Sequence, residues 1–406
     1  MTIGTPQTIS SGNRLRIQVP VSLESHVSDL PRDFLLWYDV PAKYASVLST
    51  DRGDAFAVAL LFLAMRANED IHVCAPLSSR LSYHLTEYQR IFCRWFSGLK
   101  TVRIRHDGSA TWNRAATGTG IFFSGGVDSF FSLWTHLGER EENPDYRVTH
   151  ALYLDGFDTD GIHSAAYDNS LTAYRSLLRR LGVDLIPVRT NLKTFVNEVT
   201  TGWEAHGAFL LSAPLLLQGL LRRCYVPSGV KYEDTAEGSH PLVDHLLSTE
   251  TLEVIHDGAW ATRVEKTMAV ASWPATYDHL YVCFGREGQA LKNCCRCEKC
   301  IRTMIALDLA GALDRYTTFP LPLERRHVRG WQMPYFHYTG IFARQLYEVA
   351  KERGRTDLAR DLRYMLWSHR VRFSGVGQFL RRMLVLPAKR SALISSLYYR
   401  LRGTSP

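Results

Sequence analysis

The sequence has no apolar run long enough to cross a bilayer. Its longest, Ala55 to Met65, stops at Arg66, far short of the ~20 residues a spanning helix needs. The first residues hold no basic-then-apolar leader, which predicts a cytoplasmic protein. A disulfide framework is excluded by spacing: four of the eight cysteines crowd between Cys294 and Cys300, a pattern of metal binding in a reducing compartment. Acidic residues are scarce after residue 320. Leu321 to Pro406 carries 17 Lys/Arg against 5 Asp/Glu, a net +12, whereas the whole chain is +8 and Met1 to Pro320 is therefore −4. Any interest in polyanions belongs to that last segment. Two familiar phosphate loops are also missing. No Gly-Lys-Ser/Thr is present to make a Walker A loop, and Phe123 stands where a third glycine would complete a dinucleotide fingerprint begun by Gly118 and Gly120. What remains is ordinary for a globular chain: 46% apolar and 22% charged over 406 residues, enough for two or three domains.

The most informative stretch is Thr119 to Leu137, TGIFFSGGVDSFFSLWTHL. Gly120 to Phe123 has the length of a buried strand, and Phe130, Phe131, Leu133, Trp134 and Leu137 recur at helical spacing. Between them lies Ser124-Gly125-Gly126-Val127-Asp128-Ser129. A strand, a glycine turn and a helix aim backbone N–H groups and the positive helix end at an anion, and paired glycines let the backbone approach a phosphate. Ser124 and Ser129 add hydroxyls. Asp128 would repel phosphate, so it is expected to hold a metal ion or to orient the loop.

The centre of the chain then alternates strand and helix. Strands are read at Ala151–Leu154, Leu185–Val188 and Tyr225–Val226, and helices at Ser164–Leu181 and Trp203–Arg223. Repeated βα units predict a parallel sheet with helices on both faces, whose ligands bind at the strand C-termini. That rim would hold Ser124–Ser129, Asp155, Gly156, Thr190 and Gly229. A polar loop, Gly229 to Leu246, offers Asp234, His240 and Asp244 as substrate contacts, each of which also suits a capping or turn role. Arg263 and Lys266 sit near the start of an amphipathic helix, where cations oppose the helix dipole unless an anion joins them.

Residues 1–115 read as an α/β extension, with strands at Leu15–Val21, Phe34–Val40, Ile71–Cys74 and Val102–Arg105, and helices at Asp54–Ala67 and Ser79–Phe96; Cys74 and Cys93 are taken as core thiols. In Val282 to Thr303, Cys294, Cys297 and Cys300 make two overlapping Cys-x-x-Cys knuckles, with Cys283 eleven residues earlier. Four thiolates predict a closed, structural Zn²⁺ site, with an iron–sulfur cluster as the competing reading. Arg296, Lys299 and Arg302 would offset the thiolate charge. Cys295 is left over, as a spare, redox or sulfur-carrying thiol. After residue 320, helices are expected at Ile341–Lys351, Asp357–Val371, Gln378–Val385 and Ser391–Leu401, either packed on the core or meeting RNA, an anionic membrane surface or an acidic protein.

The Ser124–Ser129 loop resembles the SGGxDS loop of the PP-loop, or N-type ATP pyrophosphatase, superfamily of HUP-type α/β domains. The resemblance implies an ATP-binding loop that grips the β- and γ-phosphates while substrate attacks the α-phosphate, with Asp155-Gly156 near adenine or ribose and Mg²⁺ present. A loop of this kind followed by Cys … Cys-x-x-Cys-x-x-Cys is similar to the cyano-deazaguanine synthase family. That likeness implies Zn²⁺ ligation by Cys283, Cys294, Cys297 and Cys300 and places Lys266 where the family has a lysine. It spans roughly 119–305 and departs from the pattern at Cys295, which replaces a glycine, in the loosely matched loop Gly229–Leu246, and outside residues 115–320. The implied organisation is an α/β extension at 1–115, an ATP-binding domain at 116–280, a four-cysteine segment at 281–320 and a basic helical extension at 321–406. The implied activity is adenylation of a carboxylate or carbonyl, followed by attack of a nitrogen or sulfur nucleophile, with Ser124, Asp128, Ser129, Arg263 and Lys266 at the reacting phosphates. Two alternatives stand beside it: an enzyme modifying tRNA or other nucleic-acid bases, and a subunit that binds nucleotide without turnover.

Overall fold

The structure is a computed structural model that describes residues 1–27, 30–110, 116–156, 165–196, 204–233, 238–283, 291–331 and 336–373. The predicted helices at 378–385 and 391–401, Trp203 and Asp234 lie outside the described residues. The chain divides into two units, Met1–Lys292 with Tyr316–Thr318, and Asn293–Arg315 with the remainder from Phe319.

Period-two burial builds the first unit. In Arg14–Ser22, Leu15, Ile17, Val19 and Val21 are buried and alternate with wetter neighbours, the pattern of a strand with one covered face. The strands are β1 Thr2–Ile3, β2 Gln7–Ser11, β3 Arg14–Ser22, β4 Asp33–Pro41, β5 Ile71–Val73, β6 Ile104–His106, β7 Gly118–Phe122, β8 His150–Asp155, β9 Asp184–Thr190, β10 Leu221–Pro227 and β11 Glu253–Asp257. They form one sheet in the order β11-β10-β7-β8-β9-β4-β3-β1-β5-β6, with β2 on β3. Strands β7 to β11 pair in parallel. Strand β4 joins them through an antiparallel pairing with β9, Tyr38 opposite Thr190, so the strands on either side of residue 115 share one sheet.

The helices of this unit are α1 Asp54–Ala67, α2 Ser79–Trp95, α3 Val127–Thr135, α4 Ala165–Arg180, α5 Leu192–Val196, α6 His206–Leu215, α7 Arg263–Val270 and α8 Pro274–Tyr277. Helix α1 is buried along almost its whole length and packs on α6. The long helix expected over Trp203–Arg223 is corrected: α6 ends at Leu215, just past Pro214, and Leu221–Arg223 belong to β10. An unbroken apolar run carries no period to separate buried helix from buried strand, and proline ends the helix by removing a backbone donor. The order β9-β8-β7-β10-β11 reverses direction at β7, because β8 and β9 continue to one side and β10 and β11 to the other. Ligand crevices in open α/β sheets form at such a reversal, and here the loops leaving β7 and β10 flank it.

The second unit holds α9 Glu298–Leu309, α10 Arg325–Gly330, α11 Phe336–Glu352 and α12 Thr356–Phe373. Ile301, Met304, Ile305, Leu346, Leu362 and Met365 are buried in it. Helix α11 packs on α9 and α12, and α10 packs on α12.

Candidate functional site

Strand β7 runs buried into Phe123 and Ser124, and α3 starts at Val127 with Gly126 as its N-cap. No side chain caps this end, and helix starts of this kind suit anions. Gly125 has φ +75°, and a Cβ there would overlap the Tyr174 hydroxyl; the turn requires glycine on both counts. Gly125 carbonyl accepts from Tyr281 N–H at 2.9 Å. The Ser129 hydroxyl donates to Gly126 carbonyl at 3.0 Å, and Gly126 N–H approaches Ser124 Oγ at 3.4 Å. Phe123 meets Phe130 and Tyr174 edge to face, at 5.0 and 5.2 Å between ring centres, which gives the loop an aromatic floor.

Charge converges on this loop. Arg263, first residue of α7, grips Asp128 with both nitrogens, Nη2 to Oδ2 at 2.6 Å and Nε to Oδ1 at 3.3 Å. Lys266 Nζ lies 3.9 Å from Asp128 Oδ1 and donates to Ser228 carbonyl at 2.6 Å, with its side chain 1% exposed. Gly229 allows the approach, since a Cβ there would stand 2.8 Å from Arg263 Nη2. Thr262 and Glu265 cap α7 reciprocally. Cations at this helix start are therefore offset by Asp128 and Glu265. Asp128, expected either to hold a metal or to orient the loop, accepts from Arg263 through both oxygens. The donors of the loop fit phosphate.

Behind the loop lies a triad that no local sequence pattern announces. His136 Nε2 is 3.0 Å from Asp257 Oδ1 and its Nδ1 is 2.8 Å from Glu141 Oε2, while its ring stacks on Tyr225 at 4.0 Å. Burial opposes charge on His136, but the two carboxylates outweigh it and raise its pKa. Burial likewise acts against Asp257, yet the hydrogen bond and charge of His136, with help from Ser132 and Lys266, hold its carboxyl below the usual range. These residues are joined across 121 positions of sequence.

The other predicted residues are placed differently. Asp155 ends β8 with its side chain 1% exposed, 3.6 Å from Arg189 Nε, which also reaches Asp168 at 3.0 Å. Gly156, at φ +86°, packs on the Thr190 carbonyl. The Thr190 hydroxyl donates to Trp37 carbonyl at 2.7 Å, tying β9 to β4. Asp244 is fully buried and accepts from Ser239 Oγ at 2.7 Å, His240 N–H at 3.2 Å and His256 Nδ1 at 2.7 Å. His240 packs its ring on Trp95 at 5.5 Å and accepts from Leu242 N–H. Asp244 and His240 thus clasp their own loop, the capping and turn role.

The sulfurs of Cys283, Cys294, Cys297 and Cys300 all lie within 4.8 Å of one another. Cys294 and Cys300 sulfurs are 3.8 Å apart, and those of Cys297 and Cys300 3.4 Å. Zn–S bonds of ~2.3 Å in a tetrahedron put sulfurs about 3.8 Å apart, so the cluster can hold a metal such as zinc. Cys297 N-caps α9, and the positive end of that helix favours thiolates. Arg302, expected to offset the thiolate charge, pairs with Glu298 at 3.6 Å and lies over Phe342 at 4.3 Å. Cys295 is buried at φ +58°, its thiol toward Asn293 carbonyl at 3.4 Å. Burial pushes that thiol up, which disfavours a reactive thiolate. No helix among the described residues is long and apolar enough to cross a membrane. No family model, curated protein or solved structure matches this chain.

Proposed function

We propose that this chain is an ATP-dependent adenylating enzyme that cleaves ATP between the α- and β-phosphates to activate a carboxylate or carbonyl for a nitrogen or sulfur nucleophile. The observation that carries the reading is the convergence of Arg263 and Lys266 on a Ser-Gly-Gly-Val-Asp-Ser turn where strand order reverses. The uncapped start of α3 and the Ser124 hydroxyl would supply donors to a bound phosphate, while the Ser129 hydroxyl, donating to Gly126 carbonyl, holds the turn. Arg263 and Lys266 bring two positive charges to one side of the loop, where they could accompany a departing pyrophosphate. Catalysis of this kind is positioning plus charge neutralisation. Incubated with ATP and a panel of carboxylate acceptors, the protein should release AMP and pyrophosphate. ADP and phosphate as the main products would overturn the reading.

A second reading, a nucleotide-binding subunit without turnover, is favoured by one feature: Lys266 is buried against Ser228 and Asp128 is already paired. ATP binding with no AMP across the whole panel would select it.

A further inference from the structure

A second cluster of metal-ligand type stands on the opposite wing of the sheet. His72 and Cys74, expected from sequence to be a strand residue and a core thiol, are two positions apart along β5 and its end, so they project from the same face. Ile71 and Val73 take the other face and are buried, whereas His72 is exposed and Cys74 is half-buried. Strand β6 pairs in parallel with β5, Val73 opposite His106, which brings Asp107 beside Cys74. The imidazole, thiol and carboxylate donor atoms of His72, Cys74 and Asp107 lie within 4.8 Å of one another, and His72 Nε2 is 3.0 Å from Asp107 Oδ1. The backbone under them is pinned: His72 N–H donates to Met1 carbonyl at 2.9 Å, Cys74 N–H to Ile3 carbonyl at 2.8 Å, and Asp107 N–H to Val73 carbonyl at 3.2 Å.

We propose that His72, Cys74 and Asp107 form a transition-metal site of the Zn²⁺ class, separate from the four-cysteine cluster and independent of the adenylation reading. One sulfur, one imidazole nitrogen and one carboxylate oxygen select a borderline cation over Ca²⁺ or Mg²⁺, which prefer oxygen shells. A thiolate and a carboxylate balance a divalent charge. Three protein ligands leave a fourth position, and with His72 and Asp107 49% and 58% exposed water fills it. Such an open site exchanges its metal with solvent, in contrast to a closed four-thiolate cluster. Arg105 stands in register with His72 and is exposed, so its flexible side chain can turn into water as a cation binds.

Cobalt provides the probe, since a thiolate-to-cobalt charge-transfer band reports sulfur ligation directly. Tag-free protein with its four-cysteine site zinc-loaded is titrated with Co²⁺ and compared with Cys74→Ser, His72→Gln and Asp107→Asn. Cobalt entering the four-cysteine cluster contributes equally to all four proteins. The wild type should take up one more cobalt equivalent than Cys74→Ser, with a correspondingly stronger charge-transfer band. Loss of a partner that only orients a ligand costs ~10–100-fold in metal affinity; loss of Asp107 itself should weaken cobalt binding at least that much. Asp107→Asn is an exposed change, so its melting temperature without added metal should match wild type, which separates ligand loss from misfolding. Equal cobalt uptake and equal band intensity in wild type and Cys74→Ser would overturn the proposal.

Discussion

At the scale of single residues, Asp128 matters through what it holds. Its pairing with Arg263 sets where the guanidinium and Lys266 stand relative to the loop amides. Asp128→Asn keeps the shape and removes the charge, so Arg263 is no longer fixed. The pair is about one-fifth exposed, and its loss should cost about 1 kcal/mol of stability. AMP formation should fall much further, by about 10²-fold, as expected when charged groups move by an ångström or so. An Asp128→Asn protein forming AMP at the wild-type rate would show that the pair does not position the site. His136 yields a prediction with a sign. Its folded pKa is raised, so its contribution is fully present below an unfolded value of about 6.5 and is lost as pH rises through the folded value. Asp257 and Glu141 are lowered, so theirs is present above about 4 and is lost as pH falls. The triad should therefore stabilise most between roughly pH 4.5 and 6.5. The melting-temperature gap between wild type and His136→Gln should be wide near about pH 6 and narrow near about pH 9; an unchanged gap would remove His136 from the pH response.

At the scale of elements, local pattern was legible where burial is one-sided or the helix long. Helix α1 spans the expected Asp54–Ala67, and β3, β4, β8, α2 and α4 appear within a residue or two of their readings. The strand–loop–helix around Ser124–Ser129 was visible because turn chemistry and periodicity change together there. What stayed hidden is non-local. The β4–β9 pairing that merges the N-terminal strands into the main sheet rests on residues about 150 apart, and periodicity within a strand does not name its partner. The Asp128–Arg263 grip and the His136–Asp257 contact are hidden for the same reason. The cysteine segment was legible from spacing alone, and two predictions belong to it. Purified protein should hold one zinc tightly through Cys283, Cys294, Cys297 and Cys300, and Cys300→Ser should lower the melting temperature because metal binding and folding are linked; visible iron–sulfur absorption, or a metal-free protein melting at the same temperature, would count against it. Cys295 holds a left-handed conformation, φ +58°, where glycine is least strained. Cys295→Gly and Cys295→Ala lose the same thiol, so the glycine variant should be the more stable by about 1 kcal/mol in urea unfolding. Equal stabilities would mean that the backbone relaxes out of this conformation.

At the scale of the whole molecule, the +12 segment after residue 320 invites a polyanion, but the described part of it spends much of its charge internally. Arg325 and Arg329 both donate to Asp361, at 2.9 and 2.7 Å, and Asp361 is nearly buried. Arg355 reaches Asp308 at 2.7 Å and Asp357 at 3.0 Å, and Arg353 donates to Leu309 carbonyl at 2.9 Å. Arginines committed to carboxylates and backbone carbonyls are poor phosphate ligands, because each phosphate contact must first break an existing one. This favours a packing role over RNA capture for the described part of the segment, and the two roles part experimentally. Replacing Arg325 and Arg329 with Gln leaves Asp361 buried without a cation, which should cost about 2–3 kcal/mol by urea unfolding, less than a fully buried pair because Arg325 is itself half exposed. RNA binding by the unmodified protein at physiological salt should be weak. Replacing Arg381, Arg382, Lys389 and Arg390 with Gln should leave it equally weak, whereas each true phosphate contact removed would lower the slope of log affinity against log salt by about one. Tight, steeply salt-dependent RNA binding that disappears in the fourfold variant would show instead that this segment recognises nucleic acid.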